Sequence, residues 1–184
     1  TRSIVKGKKH TLPEFAAMTA DLDNGVGSLI KQIDKLGIAE KTYIFFLSDN
    51  GGRLTMPGQK NKKISRNHPL RDGKGSMYEG GLRVPFIAVG PNIKPGSICR
   101  KPVTGLDLFP TMADLASYSL ELPNNLDGGS LKNLLQNQGR GNIQRINPFL
   151  IFHQAVARKA QTSLRLGDFK LIKTWDGNRL ELFN

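Results

Sequence analysis

The chain has 184 residues, of which 38% are hydrophobic and 23% charged, a composition that suits one folded domain with a small subdomain. No apolar run approaches the roughly 20 residues of a membrane-spanning helix, and a single cysteine, Cys99, excludes an internal disulfide bond. The net charge of +12 favours an anionic partner, but no nucleic-acid-binding motif accompanies it. We therefore expect neither nucleic acid nor a membrane as the partner.

The first predicted element is a helix over residues 13–36. Pro13 suits the first helical position, and apolar residues recur at helical spacing from Phe15 to Leu36. Gly37 is a typical C-terminal end for such a helix.

Residues 43–47 follow as a continuously apolar run. Such a run predicts a strand that is buried on both faces, as in a parallel sheet covered by helices. A helix followed by this strand indicates an α/β fold. The run "LRVPFIAVGP", ended by Gly90 and Pro91, predicts a second buried strand.

Residues 51–81 are rich in Gly, Lys and Asn and read as a long loop, a kind of segment that is often functional. Further along, "VTGLDLFPTMADLAS" predicts a loop and a short helix with Pro110 in its first turn. One amphipathic piece follows around residues 131–135. From Pro148 onward, short strand-like runs separated by turn signals predict a small antiparallel sheet.

Asp49 and Asn50 stand directly after the first predicted strand. Ligands of parallel α/β sheets bind beyond the carboxyl ends of the strands, and carboxylate and amide oxygens are ligands of hard cations such as Ca²⁺. The alternative is an ordinary turn, because Asn-Gly is a favoured turn pair. These residues alone leave both interpretations open.

Two further residues are candidates for chemistry. Lys74 stands between Gly73 and Gly75, where a backbone can approach a ligand closely and an ammonium can bind a phosphate or sulfate oxygen. The alternative is a lysine of a surface loop, and the spacing is not that of a P-loop. His153 ends an apolar strand-like run and faces either a pocket or solvent.

Taken in order, these segments resemble the type I sulfatases, the arylsulfatase family of the alkaline-phosphatase-like superfamily. The resemblance covers nearly the whole chain and is weakest over about 119–147. The stretches that carry it are "PEFAAMTADLDNGVGSLIKQIDKLGIAEKTYIFFLSDNGG", "HPLRDGKGSMYEGGLRVPFIAVGPNIKPG", "PVTGLDLFPTMADLA" and "SLRLGDFKLIKTWDGNRLELFN".

The resemblance implies an α/β fold that is part of an alkaline-phosphatase-like sandwich, with a small C-terminal antiparallel sheet. It implies that residues 1–118 are the C-terminal part of the catalytic domain. Residues 119–147 are then a connecting segment, and residues 148–184 the small sheet subdomain.

The resemblance also implies roles for the candidate residues. Asp49 and Asn50 match the Asp-Asn pair that ligates the active-site Ca²⁺, and Lys74 matches the lysine that contacts the substrate sulfate. His153 matches more loosely a histidine near the pocket. His10 does not align with the catalytic histidine of the family.

The Cys/Ser-x-Pro-x-Arg motif that yields the formylglycine nucleophile is absent. Cys99 is followed by Pro102, one place too late for the motif. The chain is therefore expected to be a C-terminal portion of a sulfatase that lacks the nucleophile and the remaining Ca²⁺ ligands. We expect such a chain to be inactive alone, and its exposed packing faces to favour self-association.

The implied function is hydrolysis of sulfate esters with formylglycine and Ca²⁺, on a sulfated small molecule or glycan. The alternatives are a related phosphodiesterase or phosphonate hydrolase and a non-catalytic module that binds sulfated glycans. The family implies a periplasmic or secreted protein, although the chain shows no signal sequence.

Overall fold

A computed structural model describes residues 12–56, 59–63, 67–155 and 160–184, with the backbone alone at 56 and 59–63. His10 lies outside the described residues. The elements in chain order are α1 (Pro13–Lys35), β1 (Ile44–Leu47), β2 (Thr55–Met56), β3 (Gln59–Lys63), α2 (Glu79–Leu82), β4 (Phe86–Val89), α3 (Leu108–Leu115), α4 (Lys132–Gln136), β5 (Leu150–Gln154), β6 (Gln161–Leu166), β7 (Phe169–Thr174) and β8 (Arg179–Phe183).

The chain forms two compact units. Unit 1 comprises Thr1–Tyr43 and Asn50–Val84, and unit 2 comprises Ile44–Asp49 and Pro85–Asn184. The mixture of helices and strands confirms the predicted α/β class. The division of the chain at residues 118 and 147 stays a prediction.

Helix α1 of unit 1 confirms the first predicted element. Pro13 occupies its first turn and Glu14 follows, which favours the helix start because the first N–H groups lack intrahelical partners. At its end, the N–H of Gly37 donates to the carbonyl of Asp34 at 3.0 Å. All residues of α1 are exposed or half-buried, and its apolar side chains Met18 and Leu29 are each 69% exposed. Within the described part of the chain, no helix is long and apolar enough to cross a membrane.

The segment predicted as one long loop contains regular structure. Strands β2 and β3 pair in an antiparallel hairpin with a register shift, and α2 forms one short turn of helix near its end. The prediction of an irregular loop over residues 51–81 was therefore wrong in part. The reason is that the β3 sequence "QKNKK" carries no hydrophobic alternation from which a strand can be inferred.

Strand β1 of unit 2 forms where the sequence predicted it, but its pairing with the neighbouring strand differs from the prediction. It pairs antiparallel with β4 in a two-stranded sheet, with Ile44 opposite Val89 and Leu47 opposite Phe86. The side chains of Phe46, Ile87 and Val89 are 38%, 56% and 57% exposed, so the described residues do not cover both faces.

The prediction of a parallel, doubly buried strand was wrong because an apolar run reports only that both faces are apolar. It carries no information on the direction of the neighbouring strand, and the long segment between β1 and β4 permits either direction.

The C-terminal part of unit 2 is a four-stranded antiparallel sheet in the order β5-β6-β7-β8, which confirms the predicted small sheet. Turns at Gly167-Asp168 and at residues 175–178 join its central and last strands. Side chains alternate across the strands, as the twofold period of a strand requires. One face buries Ser163 and Ile172, each 1% exposed, and the other face exposes Ile151, Leu171 and Leu182.

Candidate functional site

The candidate cation ligands follow β1. The side chain of Asp49 is exposed and that of Asn50 is half-buried. The amide nitrogen Nδ2 of Asn50 donates to the carbonyl of Gly51 at 3.1 Å, which orients the side-chain amide. A carboxylate and an amide therefore stand on successive residues at the end of a strand, in the chemistry that hard cations prefer.

The segment after Asn50 is held by close backbone packing inside unit 1. The N–H of Gly51 donates to the carbonyl of Gly81 at 2.9 Å, and the N–H of Gly80 donates to the carbonyl of Arg71 at 2.8 Å. A Cβ atom at Gly51 would overlap the carbonyl oxygen of Gly80, and one at Gly80 would overlap that of Asp72. Only glycine permits this approach, so the segment beginning at residue 50 is fixed against residues 71–81.

Lys74 belongs to the same backbone network. Its N–H donates to the carbonyl of Gly52 at 3.1 Å, and its side chain is exposed. Unit 1 thus brings together Asn50 and Lys74, which are far apart in sequence. The arrangement leaves the Lys74 ammonium available to an anion in solution.

Asn67 strengthens this junction and was not identified from the sequence. Its Oδ1 accepts from the N–H of Gly52 at 3.1 Å, and its Nδ2 donates to the carbonyls of Gly52 and Asp72, both at 2.9 Å. The side chain therefore pairs with both backbone groups of Gly52 and links them to the turn before Lys74. A single Asn in a polar loop gives no sequence signal for such a role.

His153 lies on β5 in unit 2, so the structure does not bring it together with Asn50 and Lys74 within one unit. The side chain is exposed, and its Nδ1 lies 2.8 Å from Oγ1 of Thr162. Its predicted place near a pocket stays a prediction.

The described residues contain no group of three or more His, Cys, Asp or Glu side chains that could hold a metal ion. Asp49 and Asn50 therefore offer two oxygen ligands, whereas Ca²⁺ takes about 6–8. The donor chemistry of Asp49 and Asn50 suits Ca²⁺, and their role as its ligands stays a prediction.

A second polar centre, at Asp107 in unit 2, was also missed from the sequence. Asp107 is fully buried and accepts from Arg145 through Nε at 2.8 Å and Nη2 at 2.6 Å. It also accepts from the backbone N–H groups of Gly129 at 2.9 Å and Thr104 at 2.8 Å. Arg145 follows Asp107 by 38 residues, so no local sequence pattern could predict that the two side chains pair.

The pKa of Asp107 is set by opposing effects. Burial raises the pKa, but the hydrogen bonds from Arg145, Gly129 and Thr104 and the charge of Arg145 outweigh burial, so the pKa lies below its ordinary value. Asp107 is therefore a charged anchor between the start of α3 and the segment 119–147.

Comparison with known proteins identifies the family. The profile of the Sulfatase family matches residues 3–118, and that of the N-sulphoglucosamine sulphohydrolase C-terminal region matches residues 67–184. The chain is 36% identical to mouse (Mus musculus) steryl-sulfatase over 72% of its own length and 21% of that protein. It is 32% identical to a sulfatase of Formosa agariphila over 96% of its own length and 34% of that relative. It is 38% identical to human (Homo sapiens) arylsulfatase A over 72% of its own length and 25% of that protein.

Solved structures agree with these relatives. The fold is similar to that of a protein solved with its substrate D-glucosamine-2-N,6-O-disulfate, at a TM-score of 0.72 and 26% identity, over 90% of this chain and 32% of that one. It is also similar to Ps i-CgsB, solved with k-i-k-neocarrahexaose, at a TM-score of 0.75 and 29% identity, over 97% of this chain and 37% of that one.

The matches define an α/β protein of the alkaline-phosphatase-like fold with a small C-terminal antiparallel sheet, as the sequence predicted. The chain belongs to the sulfatase family, and it corresponds to the C-terminal portion of type I sulfatases. It spans between 21% and 34% of the length of the relatives named above.

Proposed function

We propose that the chain is the C-terminal portion of a sulfatase that hydrolyses sulfate esters. The observation that carries the proposal is the backbone network of unit 1, in which the N–H of Lys74 donates to Gly52 and the N–H of Gly51 donates to Gly81. This network fixes the backbone at Lys74 and at Gly51, next to Asn50, and the exposed Lys74 ammonium extends from that fixed backbone. A cation anchored on a fixed backbone suits a sulfate group, because positioned charge stabilises a developing anion.

In this proposal Asp49 and Asn50 ligate Ca²⁺ through their side-chain oxygens. When bound, Ca²⁺ supplies Lewis-acid polarisation of the sulfate oxygens. Lys74 binds a sulfate oxygen and stabilises the negative charge that develops there or on the leaving oxygen. His153 contacts the substrate or its surroundings. The formylglycine nucleophile belongs to a part of the sulfatase outside this chain.

We propose a sulfated sugar as the substrate class. Two of the similar solved proteins bind sugars, one of them a disulfated glucosamine that is its substrate. The net charge of +12 supports the same choice, because a basic surface attracts polyanions over a distance set by the ionic strength.

The 184-residue chain alone is proposed to be inactive and to bind Ca²⁺ weakly. Two oxygen ligands on neighbouring residues leave most of the cation hydrated, and no Cys/Ser-x-Pro-x-Arg motif supplies the nucleophile. Calorimetric titration of the chain with CaCl₂ checks the first point. Submicromolar Ca²⁺ affinity of the chain alone would show that the ligand set is larger than proposed.

The function is tested with the polypeptide translated from the uninterrupted reading frame around this chain. We expect it to release sulfate from p-nitrophenyl sulfate much faster than phosphate from bis(p-nitrophenyl) phosphate. The same assay on the 184-residue chain serves as the matched control and should give no turnover. A preference for the phosphodiester would favour the related phosphodiesterase instead.

A further inference from the structure

Asn67 lies in unit 1 and is half-buried, and the proposed mechanism gives it no role. Its side-chain amide offers an oxygen that accepts hydrogen bonds and a nitrogen that donates them. The oxygen Oδ1 accepts from the N–H of Gly52 at 3.1 Å, and the nitrogen Nδ2 donates to the carbonyls of Gly52 and Asp72, both at 2.9 Å. The amide therefore joins the backbone of two segments that are distant in sequence.

The same side chain closes a short loop in front of Lys74. The carbonyl of Asn67 accepts from the N–H of Leu70 at 2.7 Å, and its Nδ2 bonds to the carbonyl of Asp72 at the other end of the loop. Asp72 has a φ of +65°, a conformation that residues other than glycine seldom adopt, and its Oδ1 accepts from the N–H of Gly73 at 2.9 Å. Asn67 therefore contacts the residue whose backbone conformation directs the chain into Lys74.

The carbonyl of Gly52 is bonded to both Asn67 and Lys74. It accepts from Nδ2 of Asn67 at 2.9 Å and from the N–H of Lys74 at 3.1 Å, and the two lone pairs of a carbonyl oxygen permit both bonds. The packing is close, because a Cβ atom at Gly73 would overlap this carbonyl oxygen and lie 2.7 Å from Nδ2 of Asn67. Asn67 thus holds the group to which the Lys74 backbone is bonded.

These contacts determine where the Lys74 side chain begins. A lysine side chain is long and flexible, so its ammonium is directed to one sulfate oxygen only if its backbone is held in place. A displacement of about 1 Å in a group that positions reacting atoms can lower a rate about 100-fold. Without the Asn67 amide, the carbonyl of Gly52 would lose its link to the loop before Lys74.

We propose that Asn67 is a positioning residue for Lys74. It acts on sulfate recognition through the backbone of Gly52 and Asp72 and does not itself contact the substrate. The inference rests on the proposed function, in which Lys74 binds a sulfate oxygen. It deepens that function because the loss of Asn67 then matters to sulfate recognition only while the Lys74 ammonium is present.

The experiment is a double-mutant cycle of Asn67→Ala and Lys74→Met in the polypeptide of the uninterrupted reading frame, assayed on p-nitrophenyl sulfate. We expect Asn67→Ala alone to lower kcat/KM about 10–100-fold. In the Lys74→Met background the same substitution should lower it by less than about twofold, because no ammonium is left to displace. Losses that multiply in the double variant would overturn the proposal, since a residue that only stabilises the fold acts equally in both backgrounds.

A second readout does not depend on turnover. Equilibrium dialysis with radiolabelled inorganic sulfate gives both the Kd and the number of binding sites. Asn67→Ala should raise the Kd about threefold or more, and should leave it unchanged in the Lys74→Met background. Partial unfolding would instead lower the number of sites at constant Kd, so an unchanged Kd in Asn67→Ala would count against a positioning role.

A second variant, Asn67→Asp, keeps the size of the side chain and the oxygen that accepts from Gly52. It replaces the donor Nδ2 by an oxygen that faces the carbonyls of Gly52 and Asp72. It should lower kcat/KM at least as much as Asn67→Ala, and full kcat/KM in this variant would show that the two donated bonds do not position Lys74. Circular dichroism spectra check that each variant remains folded.

The matched control is Asn142→Ala. Asn142 is an exposed asparagine of unit 2, and its Oδ1 accepts from Nζ of Lys101 at 3.5 Å. The control should keep both kcat/KM and the Kd for sulfate within about twofold of the wild type, as is usual for exposed positions. An equal loss in Asn142→Ala and Asn67→Ala would contradict a specific effect of Asn67.

Failure of this inference and failure of the proposed function give different results. Suppose that the polypeptide releases no sulfate, but Asn67→Ala weakens sulfate binding only when Lys74 is present. That result would contradict the proposed hydrolysis and support the positioning role. A sulfatase in which Asn67→Ala has no effect, or the same effect without Lys74, would contradict only the positioning role. A polypeptide that neither hydrolyses sulfate esters nor binds sulfate would contradict both.

Discussion

The buried carboxylate of Asp107 is expected to be a major source of stability for unit 2. The perturbation is Asp107→Asn, which preserves the shape of the side chain and removes its charge. In the native protein the two carboxylate oxygens accept from Arg145, Gly129 and Thr104. The amide nitrogen that replaces one oxygen is a donor, so on that side it faces one guanidinium N–H of Arg145 and one backbone N–H.

The magnitude follows from burial. Asp107 is 0% exposed and Arg145 only 13% exposed, so removal of the carboxylate leaves the guanidinium charge with little water to solvate it. Removing one partner of a buried, hydrogen-bonded ion pair costs about 3–5 kcal/mol, and we expect this cost for Asp107→Asn. That is a large share of the roughly 5–15 kcal/mol by which a domain is stable.

The assay is urea-induced unfolding, followed by the emission of Trp175, which belongs to the same unit, and by circular dichroism. The matched control is Asp114→Asn. Asp114 pairs with Lys132 at 2.9 Å, but the two side chains are 44% and 34% exposed, so solvent screens the pair. We expect this control to cost about 1 kcal/mol or less. An Asp107→Asn variant that loses no more stability than the Asp114→Asn control would refute this reasoning.

Three further predictions follow from the structure. First, the pKa of Asp107 is lower in the folded state than its ordinary value of 3.8, so the stability that the carboxylate contributes is fully present above that pH and is lost as the pH falls through the folded pKa. The free energy of unfolding, measured at successive acidic pH values, should therefore fall less steeply for Asp107→Asn than for the wild type. Equal slopes would argue against the charged anchor. Second, Gly51→Ala should destabilise unit 1 by about 1–3 kcal/mol or more because its Cβ overlaps the carbonyl of Gly80. In the control Gly25→Ala, the new Cβ in α1 meets no atom within 4 Å, so this variant should be neutral or stabilised. Hydrogen exchange of residues 50–84 measures the difference between the two variants. Equal exchange in both variants would contradict the predicted overlap at Gly51. Third, the exposed apolar side chains of α1 should cause the isolated chain to self-associate, and replacing Met18 and Leu29 by Gln should reduce this; light scattering that shows a monomer at all concentrations would be the contrary result.

Local signals predicted the elements whose formation depends on neighbouring residues. The first-turn proline, helical spacing and terminal glycine gave helix α1 almost to its observed ends. The turn signals after Pro148 gave the C-terminal sheet. In both cases the residues that determine the structure lie within a few positions of one another.

Strand direction and long-range contacts were not predictable in the same way. The apolar run of β1 is compatible with either direction of its neighbour, and only its pairing with β4 shows that the sheet is antiparallel. The contact between Asp107 and Arg145 joins residues 38 positions apart, one of them in the segment with the weakest resemblance. Nothing in the local sequence distinguishes Arg145 from a solvated arginine.

The candidate site is intermediate between these cases. The residue types of Asn50 and Lys74 suggested chemistry, but their meeting depends on backbone bonds from Gly51 to Gly81 and from Lys74 to Gly52. Those bonds form only because Gly51 and Gly80 have no side chains. In the sequence these two positions look like any others of its 20 glycines, so their role could not be predicted. Asn67 completes the junction, but no feature of the sequence around it predicted that role.

The measurement that tests the proposed function most directly is the steady-state release of sulfate from p-nitrophenyl sulfate by the protein of the uninterrupted reading frame, compared between the wild type and Lys74→Met. We predict that kcat falls about 10²–10³-fold, the loss typical of a removed charge-stabilising donor. Lys41→Met, an equivalent loss of charge at an exposed position, should retain full activity. A Lys74→Met protein that keeps its kcat within a factor of about three would contradict the assignment of Lys74 to the sulfate.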